Sequence, residues 1–357
     1  MQWFYAKNNP MNIYADRINI EEFGPDNILK AIIAECENVD YLPKNTFDFR
    51  IYFSDNEDFN AVAYEVGSRS LINMSFKCVK IIFHLALLLM GRPELLPSAG
   101  IEEPFEGRYR IDEFDEPEII PFDEQYKQLV FYSGPENPKR YSVAELIACF
   151  GIEFLLFHEL GHHLGGHVRY LKDKMGLSEL YAYHNELLKE NSRLYQILET
   201  DADAVAITTL LESISNKISI YARLFLNHNA ELIPHCLVIA LTIVFYLLPR
   251  ENSESYDLET SKYLPRDVRF YLVLDIMFKK MDSEYCCCKG KQSNISLLNT
   301  LSMTNSMLDE LYSASGKQNS INIMTEEYQT YYTDILLSKW RDIRNELNQY
   351  AVIQLPE

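Results

Sequence analysis

The stretch FHELGHHLGGH, from Phe157 to His167, places four of the chain's eight histidines within eleven residues. The segment before it, IACFGIEFLLF, is almost entirely apolar. This pattern predicts a buried helix that carries the histidines at its end. Because burying an unpaired polar group costs about 2–7 kcal/mol, and a charge costs more, these side chains need partners inside the protein. A metal ion would satisfy several of them at once.

The spacing within this stretch is that of a zinc-binding helix. His158 and His162 are four residues apart, so they stack on one helical face, and Glu159 flanks that face. The pattern H-E-x-x-H supplies two imidazoles for one zinc ion and a carboxylate within reach of a reacting water molecule. Gly161 costs a helix about 1 kcal/mol relative to alanine, which indicates that another backbone packs closely there.

A third protein ligand is needed, and two patterns compete to supply it. The extended motif H-E-x-x-H-x-x-G-x-x-H fits Gly165 but has Val168 at its last position. His167 stands one residue too early, so this pattern is rejected.

The second pattern is an E-x-x-x-D pair on a following helix. The segment LETDADAVA supplies Glu199 and Asp203, four residues apart and therefore on one helical face. We expect Glu199 to bind the metal. We expect Asp203 to accept the other ring N–H of a ligand histidine, His158, and to fix its tautomer.

Other polar residues near these motifs receive weaker predictions. Asp201 lies about 200° around the helix from Glu199 and is interpreted as a solvated acid. His163 and His167 are expected either to support the metal ligands or to lie at the surface. Tyr195, one turn before Glu199, is a candidate for stabilising an oxyanion.

Charge and composition limit the partners. The net charge is −19 and Lys/Arg-rich blocks are absent from the sequence, which argues against nucleic acid and anionic membranes. The apolar segment from Cys236 to Pro249 is shorter than the roughly 20 residues of a membrane span, so we expect a core helix. Seven cysteines without a CxxC spacing, including the run Cys286–Cys288, and an N-terminus without a signal-peptide pattern predict a cytoplasmic protein.

The remaining sequence predicts an α+β fold with a small, mostly antiparallel sheet packed on the histidine helix and a largely helical C-terminal half. Strands are predicted in FDFRIYFSD, in FNAVAYEV and at about Ser70–Met74, where the last strand runs into a helix ending near Met90. The capping box Ser142–Glu145 predicts the start of the histidine helix.

The predicted organisation is one domain over residues 1–282 and a helical extension over residues 283–357. An irregular acidic insertion at 91–141 is a candidate lid. Further helices are predicted at Asp26–Val39 and from about Glu186 into the Leu210 region.

The segments HELGHHLGGH and ETDADAVA together resemble the gluzincin-type zinc metallopeptidases. Within that group they resemble the bacterial phage-exclusion peptidases of the Lit-like family and, more distantly, the ImmA/IrrE-like peptidases. The resemblance extends over about Phe59 to Ala206. It implies a zincin-like fold, one Zn²⁺, a protein or peptide substrate inside the cell, and a role in phage defence or the stress response.

This chain departs from the resembling proteins at one segment. Several of them carry a His-Pro…Arg segment after the ligand helix. The corresponding stretch here is YLPRDVR, with Leu264 at the histidine position and Arg269 expected to pack near the site.

The favoured activity is peptide-bond hydrolysis with Glu159 as the general base. The strand near Ser70–Met74 is predicted to pair with an extended substrate backbone. Two alternatives remain open. One is a zinc-containing regulatory or interaction protein without catalysis, and the other is a zinc amidohydrolase acting on a non-peptide substrate.

Overall fold

The computed structural model describes residues 49–54, 60–100, 135, 137–176, 191–248, 261, 263–284, 291–313 and 329–353. The predicted helix Asp26–Val39, most of the 91–141 insertion and the Cys286–Cys288 run lie outside these residues. The described strands are β1 (Phe49–Ser54), β2 (Ala61–Val66) and β3 (Arg69–Ser75). The described α-helices are α1 (Phe76–Met90), α2 (Pro138–Leu164), α3 (His167–Met175), α4 (Ser192–Phe225), α5 (Ile233–Leu247), α6 (Arg266–Glu284), α7 (Lys291–Ser313) and α8 (Leu337–Leu347).

The described part of the chain is mostly helical with a small mixed sheet, which agrees with the predicted α+β class. The strand order is β1-β3-β2, with β3 parallel to β1 and antiparallel to β2. The prediction of a mostly antiparallel sheet is therefore wrong for these strands. A hairpin joins β2 to β3, and Gly67 occupies its first loop position with a φ of 64°. On its other side, β3 pairs with β1. Alternating hydrophobicity predicts strands but does not specify their order.

The predicted passage from a strand into a helix is confirmed. The Ser75 side chain accepts a hydrogen bond from the backbone N–H of Cys78 and caps α1. The helix ends at Gly91, whose N–H donates to the carbonyl of Leu87, and the N–H of Arg92 donates to the carbonyl of Leu89. This cap ties the end of β3 to the start of a core helix.

The start of α2 differs from the prediction. Asn137 is the N-cap, its side chain accepts from the N–H of Lys139, and Pro138 is the first helical residue. Ser142 therefore lies inside the helix, so the capping-box prediction is wrong. Proline at the first position has a preset φ and needs no hydrogen-bond donor, which favours the earlier start.

A buried arginine on α2 binds the described residues that follow α1. Arg140 is fully buried and donates hydrogen bonds of 2.7–3.2 Å to five backbone carbonyls. The acceptors are Met90, Arg92, Leu95, Leu96 and Gly100. A guanidinium group has five N–H donors, so the loop carbonyls that follow α1 satisfy all of them.

The core lies between α1, α2 and α5, which pack on one another. The stretch Ala230–Leu247 is long and apolar enough to cross a membrane by length and composition, and 78% of it is buried inside the protein. This burial agrees with the predicted core helix. Helix α4 extends to Phe225, beyond the predicted end, and the predicted start at Glu186 lies outside the described residues.

The C-terminal residues return to the end of α2. The N–H of Val352 donates to the Leu164 carbonyl at 2.8 Å, and the Tyr350 hydroxyl donates to Asp173 on α3. Gly166 has a φ of 76°, and a Cβ there would lie 2.5 Å from the backbone nitrogen of Ala351. The glycine therefore lets the C-terminal backbone contact the turn that follows the histidine helix.

A buried acid on α2 gives a prediction for the pH dependence of stability. Burial raises the pKa of Glu153 to about 8 from its usual 4.5. As the pH rises from 4.5 to 8, the unfolded state gains charge while the folded state stays neutral. The free energy of unfolding should therefore fall by up to about 1.4 kcal/mol per pH unit relative to Glu153→Gln.

Urea denaturation at pH 5 to 8 measures this effect. The matched control is Asp275→Asn, at an exposed carboxylate on α6. Parallel pH profiles for the wild type and Glu153→Gln would contradict the assignment of a buried, neutral Glu153.

Candidate metal centre

The site forms where α2 crosses α4. A Cβ at Gly161 would lie 3.2 Å from both the Cα and the carbonyl oxygen of Ala202. The glycine therefore allows the two helix backbones to approach closely, as its costly position within a helix predicted. On α4, Asp201 and Asp203 flank the contact residue Ala202.

His158, His162 and Glu199 come together at this crossing. The two histidine Nε2 atoms are 3.1 Å apart. His158 Nε2 lies 3.5 Å from Glu199 Oε2, and His162 Nε2 lies 3.7 Å from Glu199 Oε1. Four zinc ligands at about 2.0–2.1 Å in a tetrahedron are separated by about 3.3–3.4 Å. All three side chains are buried. Their donor atoms and separations therefore fit one metal ion.

Asp203 and Arg269 surround this group. Asp203 Oδ1 lies 2.9 Å from His158 Nδ1, and Arg269 contacts both carboxylate oxygens of Asp203 at 2.7 and 2.9 Å. Arg269 Nη1 also lies 3.3 Å from Glu199. The structure thus places Asp203 against His158, the histidine that the sequence analysis named as its partner.

Charge balance keeps both carboxylates ionised. Burial acts to raise the pKa of Glu199, but the hydrogen bond with His158 and the charge of Arg269 hold that pKa below its usual value. Burial also acts to raise the pKa of Asp203, and Arg269 and His158 again lower it. The site therefore presents anionic groups to a cation.

Glu159 lies beside the candidate ligand group, which consists of His158, His162 and Glu199, and it faces the sheet. It lines the same cavity, and its carboxylate accepts a hydrogen bond from the backbone N–H of Ala63 in β2. Burial raises the pKa of Glu159 to about 7, with His158 lowering it and Glu199 raising it. The contact with Ala63 holds the edge strand against α2.

The other two histidines of the cluster have different partners. His163 Nε2 lies 2.9 Å from the carbonyl of Leu71 and connects α2 to β3. His167 Nδ1 lies 3.0 Å from His162 Nδ1, and its Nε2 lies 3.1 Å from Asp201. Both histidines are buried, so neither lies at the surface.

The interpretation of Asp201 as a solvated acid is wrong. Its side chain is 10% exposed and pairs with His167. The helical repeat correctly places Asp201 on a different face of α4 from Glu199. It does not show that His167, at the start of α3, packs against that face. The Gly165–Gly166 turn followed by His167 was the sequence signal for this contact.

A cavity of about 420 Å³ opens onto the ligand group and Glu159. Its apolar wall consists of Phe154, Leu155, Val244, Leu248 and Leu264. Tyr263, Arg266 and Cys78 also line it, and the sequence reasoning did not assign them to the site. Tyr195 is fully buried in an apolar cluster with Val168 and Leu198, so its surroundings do not support the predicted oxyanion role.

Two helices that present imidazoles and a carboxylate to one cavity define a candidate metal-dependent hydrolase site. The chain matches the family described as Peptidase U49 over residues 113–286, just under half of its length. This similarity supports a peptidase, and the matched range includes both segments that meet in the candidate metal centre. No curated protein and no solved structure matches the chain. The matched range begins after the strands and continues past Ala206, so it only partly overlaps the range of resemblance predicted from the motifs.

Arg269 gives a prediction for the stability of the metal-free site. Its replacement by methionine leaves Asp203 and Glu199 buried without their cationic partner. We expect a loss of about 3–5 kcal/mol in the metal-free protein, and a smaller loss at saturating zinc because the ion restores positive charge.

Denaturation with and without zinc tests this expectation. Arg169→Met is the control, because its ion pair with Glu65 is partly exposed and is expected to contribute about 0–1 kcal/mol. Equal, small losses for the two variants would contradict the role of Arg269.

Proposed function

We propose that this protein is a zinc-dependent endopeptidase. In this proposal His158, His162 and Glu199 hold one Zn²⁺ and Glu159 is the general base. The observation that carries the proposal is that His158, His162 and Glu199 bring one donor atom each within 4.8 Å of one another, with Glu159 in the same cavity. The similarity to Peptidase U49 supports peptide-bond hydrolysis as the reaction class.

Each side chain has a distinct part in the proposed reaction. Zinc, when bound, supplies a Lewis acid that polarises the scissile carbonyl and makes water more acidic. Glu159 accepts a proton from the attacking water and delivers it to the leaving nitrogen. Asp203 accepts the Nδ1 proton of His158, so that His158 presents Nε2 towards Glu199 and the metal. Arg269 orients both Asp203 and Glu199.

The substrate backbone is proposed to pair with β2. The predicted pairing with the strand near Ser70–Met74 is wrong, because β3 already has β1 and β2 as neighbours. Strand β2 has one neighbour within the described sheet, and Asn60, Ala61 and Val62 line the cavity. An extended peptide added at this edge would run past Glu159, and the apolar wall would accept an apolar side chain.

Two observations bear on the alternatives. A zinc site with a purely structural role is closed by a fourth protein ligand, whereas the metal-binding group among the described residues consists of His158, His162 and Glu199. Glu159 has no use in such a closed site. The cavity would also admit a small amide, so the amidohydrolase alternative rests on the substrate, and the family similarity favours a peptide.

The proposed setting is the cytoplasm. Cys78, Cys149 and Cys236 are buried free thiols, which suits a reducing compartment. We extend the proposal to a protein substrate cleaved during phage defence or stress, on the basis of the resemblance to phage-exclusion peptidases.

Glu159→Gln tests the general base. We expect zinc content to remain at one ion per chain and cleavage to fall by about 10²–10⁴-fold, because the amide cannot accept the proton. The substrate is identified by comparing protein N-termini in cells that express the wild type with those in cells that express the variant. Cleavage of that substrate is then measured with purified protein. Unchanged cleavage by the variant would remove Glu159 from this role, and a wild type that generates no new N-termini would argue against a peptidase.

Glu199→Ala tests the third ligand. We expect the zinc dissociation constant to rise by more than about 100-fold, as measured by competition with a chelator, because one of three protein ligands is lost. Glu212→Ala, at a half-exposed acid on the same helix, is the control and should bind zinc like the wild type. Undiminished zinc affinity in Glu199→Ala would exclude it from the ligand set.

A further inference from the structure

A buried chain of side chains continues from His162 away from the cavity. His162 Nδ1 lies 3.0 Å from His167 Nδ1, and His167 Nε2 lies 3.1 Å from Asp201 Oδ2. His162 is 2% exposed and His167 is 0% exposed, so water does not compete for the contact between the two rings. The chain lies behind the ligand group, since His162 directs its other nitrogen, Nε2, towards His158 and Glu199.

The contacts are compatible with only one direction of hydrogen bonding when His162 binds a metal. A ligand imidazole is neutral and uses the Nε2 lone pair, so its proton is on Nδ1. That proton must be donated to the Nδ1 lone pair of His167. Because Nδ1 of His167 accepts this bond, the ring N–H of His167 lies on Nε2 and is donated to the Asp201 carboxylate. Each donor in this sequence has one acceptor.

The backbone is arranged to bring His167 to this position. A Cβ on Gly165 would lie 2.6 Å from His167 Nε2, so glycine leaves the space that the ring occupies. Gly166 follows with a φ of 76°, a conformation that glycine adopts without strain, and α3 begins at His167. The Gly165–Gly166 turn therefore places the His167 ring against α2, in contact with His162.

Helix α4 supplies a carboxylate for each ligand histidine. Ala202 lies against Gly161, and the residues on either side of it, Asp201 and Asp203, pair with His167 and His158. Asp203 reaches His158 directly, whereas Asp201 reaches His162 through His167. Partners of this kind on a ligand histidine commonly change metal affinity by about 10–100-fold.

We propose that His167 and Asp201 are positioning residues that fix the ring orientation and the Nδ1 proton of His162, and so prepare its Nε2 as a metal ligand. This inference rests on the proposed function only in taking His162 as a ligand. His167 does not touch the substrate or the metal. It acts through His162, and Asp201 acts through His167.

Metal affinity of the full-length protein tests the proposal without any substrate. Zinc dissociation constants are measured by chelator competition for the wild type and for five variants. These are His162→Ala, His167→Ala, Asp201→Ala, Asp201→Asn and the double variant that combines His167→Ala with Asp201→Ala. The visible spectrum of the Co²⁺-loaded protein reports the ligand geometry. His163→Gln is the matched control, since it replaces a buried neighbour that contacts the Leu71 carbonyl.

We expect zinc affinity to fall by about 10–100-fold in His167→Ala, with a changed Co²⁺ spectrum, and to stay near the wild-type value in His163→Gln. The double variant should bind zinc as tightly as His167→Ala does, because Asp201 acts through His167. Asp201→Asn, which keeps an acceptor oxygen, should recover most of the affinity lost in Asp201→Ala. If His167→Ala does not fold, this Asp201 pair tests the same chain from its other end.

The outcomes separate the two levels of the account. Zinc binding that is lost in His162→Ala but unchanged in folded His167→Ala, or in both Asp201 variants, overturns the positioning role and leaves the proposed ligands standing. Additive losses in the double variant also overturn it. A wild type that binds no zinc overturns the proposed function together with this inference.

Discussion

The close crossing of α2 and α4 at Gly161 and Ala202 is the contact on which the site depends. A larger side chain at Gly161 would press on the α4 backbone, since even a Cβ would lie 3.2 Å from Ala202. The crossing brings the two histidines of one helix to the carboxylates of another. The candidate metal-binding group, the Arg269 ion pairs and the buried His167 chain all lie around this contact. The arrangement is therefore a property of helix packing rather than of a loop.

The residues that meet in the candidate metal centre could be predicted because each half of the group is a spacing within one helix. His158 and His162 share a face at i and i+4, and so do Glu199 and Asp203, whatever the rest of the fold does. The contact between His167 and Asp201 could not be predicted in this way. It depends on the angle between helices and on the turn that starts α3, neither of which is encoded in a local repeat.

The fold shows the same division between local and non-local information. The strands, α1 and the apolar helix α5 follow from hydrophobic pattern and length, and the structure confirms them. The mostly antiparallel sheet and the start of α2 at Ser142 were predicted incorrectly. At the start of α2 two possible caps lie close together in the sequence. The helix begins after Asn137, with Pro138 as its first residue, so Ser142 lies inside it. The contact between Val352 and Leu164 joins residues far apart in sequence and leaves no local pattern.

X-ray diffraction at the zinc absorption edge on crystals of the zinc-loaded protein tests the central claim most directly. The account predicts one anomalous peak about 2.0–2.2 Å from His158 Nε2, His162 Nε2 and a Glu199 oxygen, with the fourth position open to the cavity beside Glu159. A peak elsewhere in the protein, or a fourth protein side chain closing the site, would contradict it.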